Sequence, residues 1–145
     1  MQRRLLLQST TILAISLAFI RNAFGKWPAA RMETTDFTEA LGSIGKGEES
    51  DKIVFEAPET AENGAVVPFT IDASNFADHV ANINLLLDSN DKPLVASFDI
   101  EPSAVPYVAL RVKMAKSGTA TAVVIANGKA YHTQREVKVT AGGCA

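Results

Sequence analysis

TATAVVIANGKAYHTQREVKV, residues 119–139, sets two runs rich in β-branched residues on either side of a single Asn127-Gly128 pair. An Asn-Gly pair between two such runs is the strongest short-range signal for a two-residue β-hairpin, because its tight turn needs backbone conformations that these two residues reach at least cost. In the second run Tyr131, Thr133, Arg135, Val137 and Val139 fall on one face of a strand, since successive side chains alternate with a period of two. The stretch therefore predicts the last two strands of a sheet.

Working outward, five more short runs carry the same signature: KIVFEA (52–57), AVVPFTIDA (65–73), HVANINLLLD (79–88), LVASFDI (94–100) and VPYVALRVKM (105–114). Turn signals stand between them at Glu62-Asn63-Gly64, Asn90-Asp91-Lys92-Pro93 and Ser117-Gly118,. In residues 105–114, Val108, Leu110, Val112 and Met114 alternate with Ala109, Arg111, Lys113 and Ala115. About seven strands at this spacing predict an all-β fold, an antiparallel β-sandwich. Ahead of them Phe37, Ala40, Leu41 and Ile44 fall at i, i+3, i+4 and i+7, the stripe of a short N-terminal helix,. Thr35 or Asp36 can cap its start, and Gly45 or Gly47 can end it,. Residues 26–34 read as a flexible leader, with Trp27 as a side chain available to dock onto another surface.

The chain has 145 residues, and its start reads as an export signal. Arg3-Arg4, the apolar run Ile12 to Ile20, and small residues at Ala23 and Gly25 follow the basic, apolar, small order of such a signal, with cleavage after Gly25,. The apolar run ends at Arg21, well short of the ~20 residues needed to span a bilayer, so no membrane anchor is expected in the mature form. The paired arginines before Leu5-Leu6 suggest the twin-arginine route and a bacterial periplasm, with Gln2 where that motif has Ser or Thr,. Residues 26–145 are then expected to form a single domain. Cleavage removes Arg3, Arg4 and Arg21 and no acid, which turns a formal charge of −2 into a more negative one. Such a chain has no electrostatic basis for binding nucleic acid or an anionic membrane surface.

The only cysteine, Cys144, stands one residue from the end, behind Gly142-Gly143. One cysteine cannot form an internal disulfide, so in an oxidising compartment it pairs with another molecule or is kept for its reactivity. The two glycines widen the backbone's range in front of the thiol, and residues 141–145 read as an arm on the strand anchored by Val137 and Val139. The last six residues hold no Lys, Arg or His, so the local sequence does not activate the thiol,. Nothing else points to catalysis: His79 and His132 stand in no metal-binding or nucleophile signature, and no metal or cofactor is expected,. A thiol oxidoreductase would lack a resolving cysteine and a base.

APETAENGAVVPF (57–69), KPLVASFDIEPSAVPYVALRVKMAKSG (92–118) and REVKVTAGGC (135–144) together resemble the SoxY family, the sulfur-carrying proteins of bacterial thiosulfate oxidation. The resemblance covers nearly all of the mature chain. It implies an immunoglobulin-like sandwich with no catalysis of its own, paired with a second small sandwich subunit, SoxZ. In the family the cysteine of a Gly-Gly-Cys-Gly-Gly arm is joined to thiosulfate by a haem enzyme, giving a cysteine S-thiosulfonate. A hydrolase then releases sulfate, and a dehydrogenase oxidises the remaining sulfane sulfur. The matching positions here are Gly142, Gly143 and Cys144, with Ala145 where the family has glycine.

Two classes of function follow: covalent carriage of sulfur on Cys144, or an exported protein-binding sandwich whose cysteine is incidental. Both require a partner surface, and Val80, Ile83, Leu85 or the helix stripe is the expected apolar patch,.

Overall fold

The computed structural model describes residues 29–141. The expected export signal 1–25, Trp27, and the arm residues Gly142, Gly143 and Cys144 lie outside the described residues.

The 119–139 stretch forms the hairpin. β8 (Gly118–Ala126) and β9 (Lys129–Val139) pair antiparallel from Gly118↔Val137 to Ala126↔Lys129. Asn127 (φ 49°) and Gly128 (φ 72°) both take positive φ at the turn, the backbone a type I′ hairpin requires. β8 pairs on its other side with β5 (Val80–Leu87), and β5 with β6 (Leu94–Asp99). A second sheet runs β2-β4-β7, with β2 (Val54–Glu56), β4 (Val67–Asp72) and β7 (Tyr107–Val112) all antiparallel. The two sheets face each other across Phe55, Phe69, Ile71, Ile83, Leu85, Ala122 and Val124, all nearly or wholly buried. All seven expected strands form in an immunoglobulin-like sandwich.

Two further strands escape the periodicity. β1 (Glu48–Glu49) and β3 (Thr60–Ala61) are two residues long and pair parallel with the start and the end of β9. Two residues cannot show alternation, and parallel pairing with a distant strand has no local signature.

α2 (Phe37–Ile44) follows the expected stripe, and Asp36 Oδ1 accepts from the Glu39 N–H at 2.7 Å as its N-cap. Ala40 and Leu41 are buried against Leu86, Leu94 and Val123 on the outer face of the larger sheet. The leader differs from expectation: Ala29–Glu33 is a short helix, α1. Met32 packs beside α2, and Glu33 meets Lys92 at 2.6 Å on the surface, so tertiary contact orders a segment whose local sequence reads as irregular.

Because α2 covers one face and the small sheet the other, the run Leu85-Leu86-Leu87 in β5 is buried on both sides. A one-sided strand would show an alternating pattern instead.

Candidate functional site

Cys144 itself is outside the described residues, but the base that carries it is described to within three residues of it. β9 is the longest of the described strands, and two different partners fasten its end. On one edge β3 runs parallel, with Thr60 opposite Lys138 and Ala61 opposite Val139. The Lys138 N–H donates to the Glu59 carbonyl at 2.9 Å, and the Thr140 N–H to the Ala61 carbonyl at 3.1 Å. On the other edge β8 begins at Gly118, and the side chain before it extends the ladder: the Val139 N–H donates to Ser117 Oγ at 2.8 Å. Gly64 closes the arrangement, donating its N–H to the Ala141 carbonyl at 3.0 Å and accepting from the Met114 N–H at 2.8 Å.

These bonds tie the last described residue to both sheets. Val137 is buried and Val139 half-buried beneath them, which supplies the apolar anchor. Each such bond contributes about 0.5–1.5 kcal/mol net, so their number, rather than any one of them, makes the base firm.

Gly118 has a steric reason to be glycine. A Cβ there would meet Asp88 Oδ1 at 2.3 Å and Ser89 Cβ at 2.6 Å, and Asp88 Oδ1 is in use, accepting from the Thr119 N–H at 2.7 Å.

The sequence reading finds Val137, Val139 and the glycine-cysteine tail but misses Ser117, Ala61 and Gly64. Ser117-Gly118 and Asn63-Gly64 read as turns, which they are in part. That their groups also hold the chain end is a contact between segments far apart in sequence, and no local pattern carries it.

The other candidates lie elsewhere. His132 is on β9 with Nδ1 buried and without a partner, and its carbonyl accepts from the Ser50 N–H at 3.0 Å. His79 is exposed at the rim of an open cleft of about 470 Å3, lined also by Phe76, Asp78, Val105 and Pro106. β5 begins beside that cleft and ends beside Gly118, so the cleft is at the opposite end of the sandwich from Ala141. Among the described residues no group of three or more His, Cys, Asp or Glu is placed to hold a metal ion, and no helix is long and apolar enough to cross a membrane. Among the same residues one carboxyl is displaced from its ordinary range: the hydroxyl and backbone N–H of Ser74, at 2.6 and 2.9 Å, hold Asp72 below it. Asp72 is at a surface turn and serves that turn.

The expected partner patch is not a surface. Val80, Ile83 and Leu85 are 3%, 0% and 0% exposed, because β5 is an interior strand between β6 and β8, and the helix stripe is spent on Leu86, Leu94 and Val123. The large apolar side chains left exposed among the described residues are Val54 (43%), Val66 (52%), Val105 (70%) and Tyr107 (52%).

The two sheets and the fastened final strand define an immunoglobulin-like β-sandwich. The family described as sulfur oxidation protein SoxY matches residues 38–144, and the chain belongs to that family. Among solved structures it is similar to the sulfur carrier protein SoxY from Chlorobium limicola f thiosulfatophilum, at 43% identity and a TM-score of 0.60. That match covers 70% of this chain and 92% of the other. Two structures of a superoxide reductase (neelaredoxin) from Ignicoccus hospitalis share the fold at 18% and 20% identity, with TM-scores of 0.54 and 0.55. Each covers 79% of this chain and 99% of its own. No curated protein sequence matches the chain.

Proposed function

We propose that the protein is a periplasmic carrier that holds thiosulfate-derived sulfur covalently on Cys144 and presents it to other enzymes, without catalysing a reaction itself. The observation that carries this reading is the extent of the family match, which runs through residue 144 and so includes the cysteine. The fastened base at Ala141 supports it, since a cargo on Cys144 would then start from a firm point on the body.

Loading joins the Cys144 thiolate to the outer sulfur of thiosulfate. One S–S bond forms, and two electrons pass to a haem enzyme, leaving a cysteine S-thiosulfonate. Water then cleaves the sulfonate group as sulfate at a hydrolase, giving a persulfide on Cys144 and two protons. A sulfane dehydrogenase then takes six electrons from that outer sulfur, which gains three oxygens from water with release of six protons and becomes a sulfonate again. The cargo is substrate, and the chain needs no cofactor of its own in this scheme. Its constant companion is a SoxZ-like sandwich subunit, in a heterodimer, and its export follows the twin-arginine signal in residues 1–25. Gly142 and Gly143 give the arm its backbone freedom.

The test is the intact mass of the mature protein from cells oxidising thiosulfate, recorded before and after a thiol reductant. Reductant-labile additions of sulfur or thiosulfonate on the peptide ending GGCA are expected. A bare thiol, or a disulfide dimer alone, would overturn the carrier and leave a protein-binding sandwich.

A further inference from the structure

The two sheets differ in what lies over their outer faces. On the larger one α2 buries Leu86, Leu94 and Val123. On the small one Phe55, Phe69, Ile71, Val108 and Leu110 point to the core, so the alternating Val54, Pro68, Thr70, Tyr107, Ala109 and Arg111 form the outer face,. All of these but Thr70 are exposed. Val66 continues the same alternation ahead of β4, and Val105 stands just before Tyr107. The four large apolar side chains exposed among the described residues therefore gather on or beside this one face. A sheet face open to water ordinarily carries polar residues, whereas an apolar one is covered by a further layer.

The face is also shaped. Its middle row is Glu56, Thr70 and Ala109, and the next row sets Pro68 beside Arg111. Thr70 and Ala109 are small, so the floor is low between Tyr107 and Arg111, which stand two residues to either side of Ala109 on β7. The result is an open hollow of about 400 Å3 lined by Pro68, Phe69, Thr70, Ala109, Leu110 and Arg111. Glu56 and Arg111 flank it from the two outer strands, whose backbones are about 10 Å apart. Neither is in an ion pair among the described residues. An apolar hollow between two unpaired charges of opposite sign has the anatomy of a protein interface, a pocket for an anchoring side chain inside a polar rim.

We propose that the outer face of the small sheet docks a partner protein that seats one large apolar side chain, leucine or aromatic, over Thr70 and Ala109. The same partner sets a cation against Glu56 and a carboxylate against Arg111. The acids Glu56 and Asp72 on this face do not suit an anionic membrane surface or a nucleic acid,. The identity of the partner rests on the carrier reading above, in which the chain is paired with a companion sandwich subunit, and one sheet face laid on another is how sandwiches bury such surfaces. The chain end follows β9 of the larger sheet, so the docking face and the arm belong to different sheets.

The test is titration of the mature chain carrying Cys144→Ser, which removes disulfide dimers, with a SoxZ-like subunit as the probe. Ala109→Glu fills the hollow with a charge and should raise the dissociation constant at least ~10-fold. Tyr107→Ser, which removes exposed surface and adds no bulk, should raise it at least ~5-fold by the same reasoning. Glu56→Arg and Arg111→Glu should each slow association, and the slowing should shrink as salt is raised. Gly42→Glu places the same charge on α2, where a Cβ has open space, and should change nothing. Circular dichroism of each variant should match the parent, since all four altered strand residues are exposed. A complex equally tight with Ala109→Glu and Tyr107→Ser would overturn the proposal and leave the carrier reading standing. Self-association lost on Ala109→Glu, with no binding of the subunit, would overturn it by giving the face to a second copy. No complex of any kind would overturn it together with the companion in the carrier reading, while the intact-mass measurement still decides whether Cys144 carries cargo.

Discussion

Gly118→Ala tests how tightly the foot of β8 is packed beside the chain end. The new Cβ would meet two atoms of different character. Asp88 Oδ1, at 2.3 Å, is the tip of an exposed side chain and can swing away. Doing so breaks its 2.7 Å bond from the Thr119 N–H, a loss of about 1 kcal/mol at a solvated site. Ser89 Cβ, at 2.6 Å, cannot rotate away. It moves only with its backbone, and overpacking of this kind costs about 1–3 kcal/mol. Alanine recovers about 0.4–1 kcal/mol by restricting the unfolded chain, leaving a net loss of about 2–3 kcal/mol. A body of about 110 residues unfolds with an entropy near 0.23 kcal/mol/K, so Tm should fall by roughly 10 °C. Thermal unfolding by circular dichroism measures it. Ser89→Ala alone should be neutral or stabilising, because its buried Oγ has no partner, yet it should not rescue Gly118→Ala, since its Cβ remains. A Tm within about 2 °C of the parent would refute the steric reading.

Three other outcomes are expected. Ser117→Ala removes the hydroxyl that accepts from the Val139 N–H, and exchange of that amide should quicken by up to ~5-fold, for about 1 kcal/mol lost, while global stability moves little. Asp36→Ala deletes the N-cap of α2 and should cost about 1 kcal/mol in urea unfolding. Asp72 is held below its ordinary range by Ser74, so its contribution is complete above the unfolded-state pKa and fades as pH falls through the native one. Asp72→Asn should therefore flatten the acid limb of the stability curve and leave the neutral region nearly parallel to the parent.

The local parts of this fold are the legible ones. Asn127-Gly128 dictates a hairpin because its conformational needs are carried by two adjacent residues, and Asp36 announces α2 for the same reason. What the sequence could not order is the sheets. Val80, Ile83 and Leu85 look like a candidate surface until β5 is placed between β8 and β6, under α2 on one side and the small sheet on the other. Their burial is a property of strand order, which alternation does not encode. β1 and β3 are invisible for a related reason, since Glu48-Glu49 and Thr60-Ala61 become strands only because β9 lies alongside them. At the candidate site Gly142, Gly143 and Cys144 stand out by composition alone, whereas Ser117 and Gly64 matter through bonds to residues 22 and 77 positions away.

Those bonds bear on how cargo would be presented. A chain spans at most about 3.6 Å per residue, so the Cα of Cys144 lies within about 11 Å of that of Ala141. An arm of that length, as proposed, would keep the thiol within a short radius of a base that is itself locked to both sheets. An enzyme acting on the sulfur must bring its catalytic centre to that radius. It would therefore meet the rim built from Glu59–Gly64, Ser117 and Lys138 rather than a distant face such as the one bearing Val54 and Tyr107. Recognition by successive enzymes would then rest on a rigid surface common to all of them, with the two glycines adjusting only the final approach of the thiol.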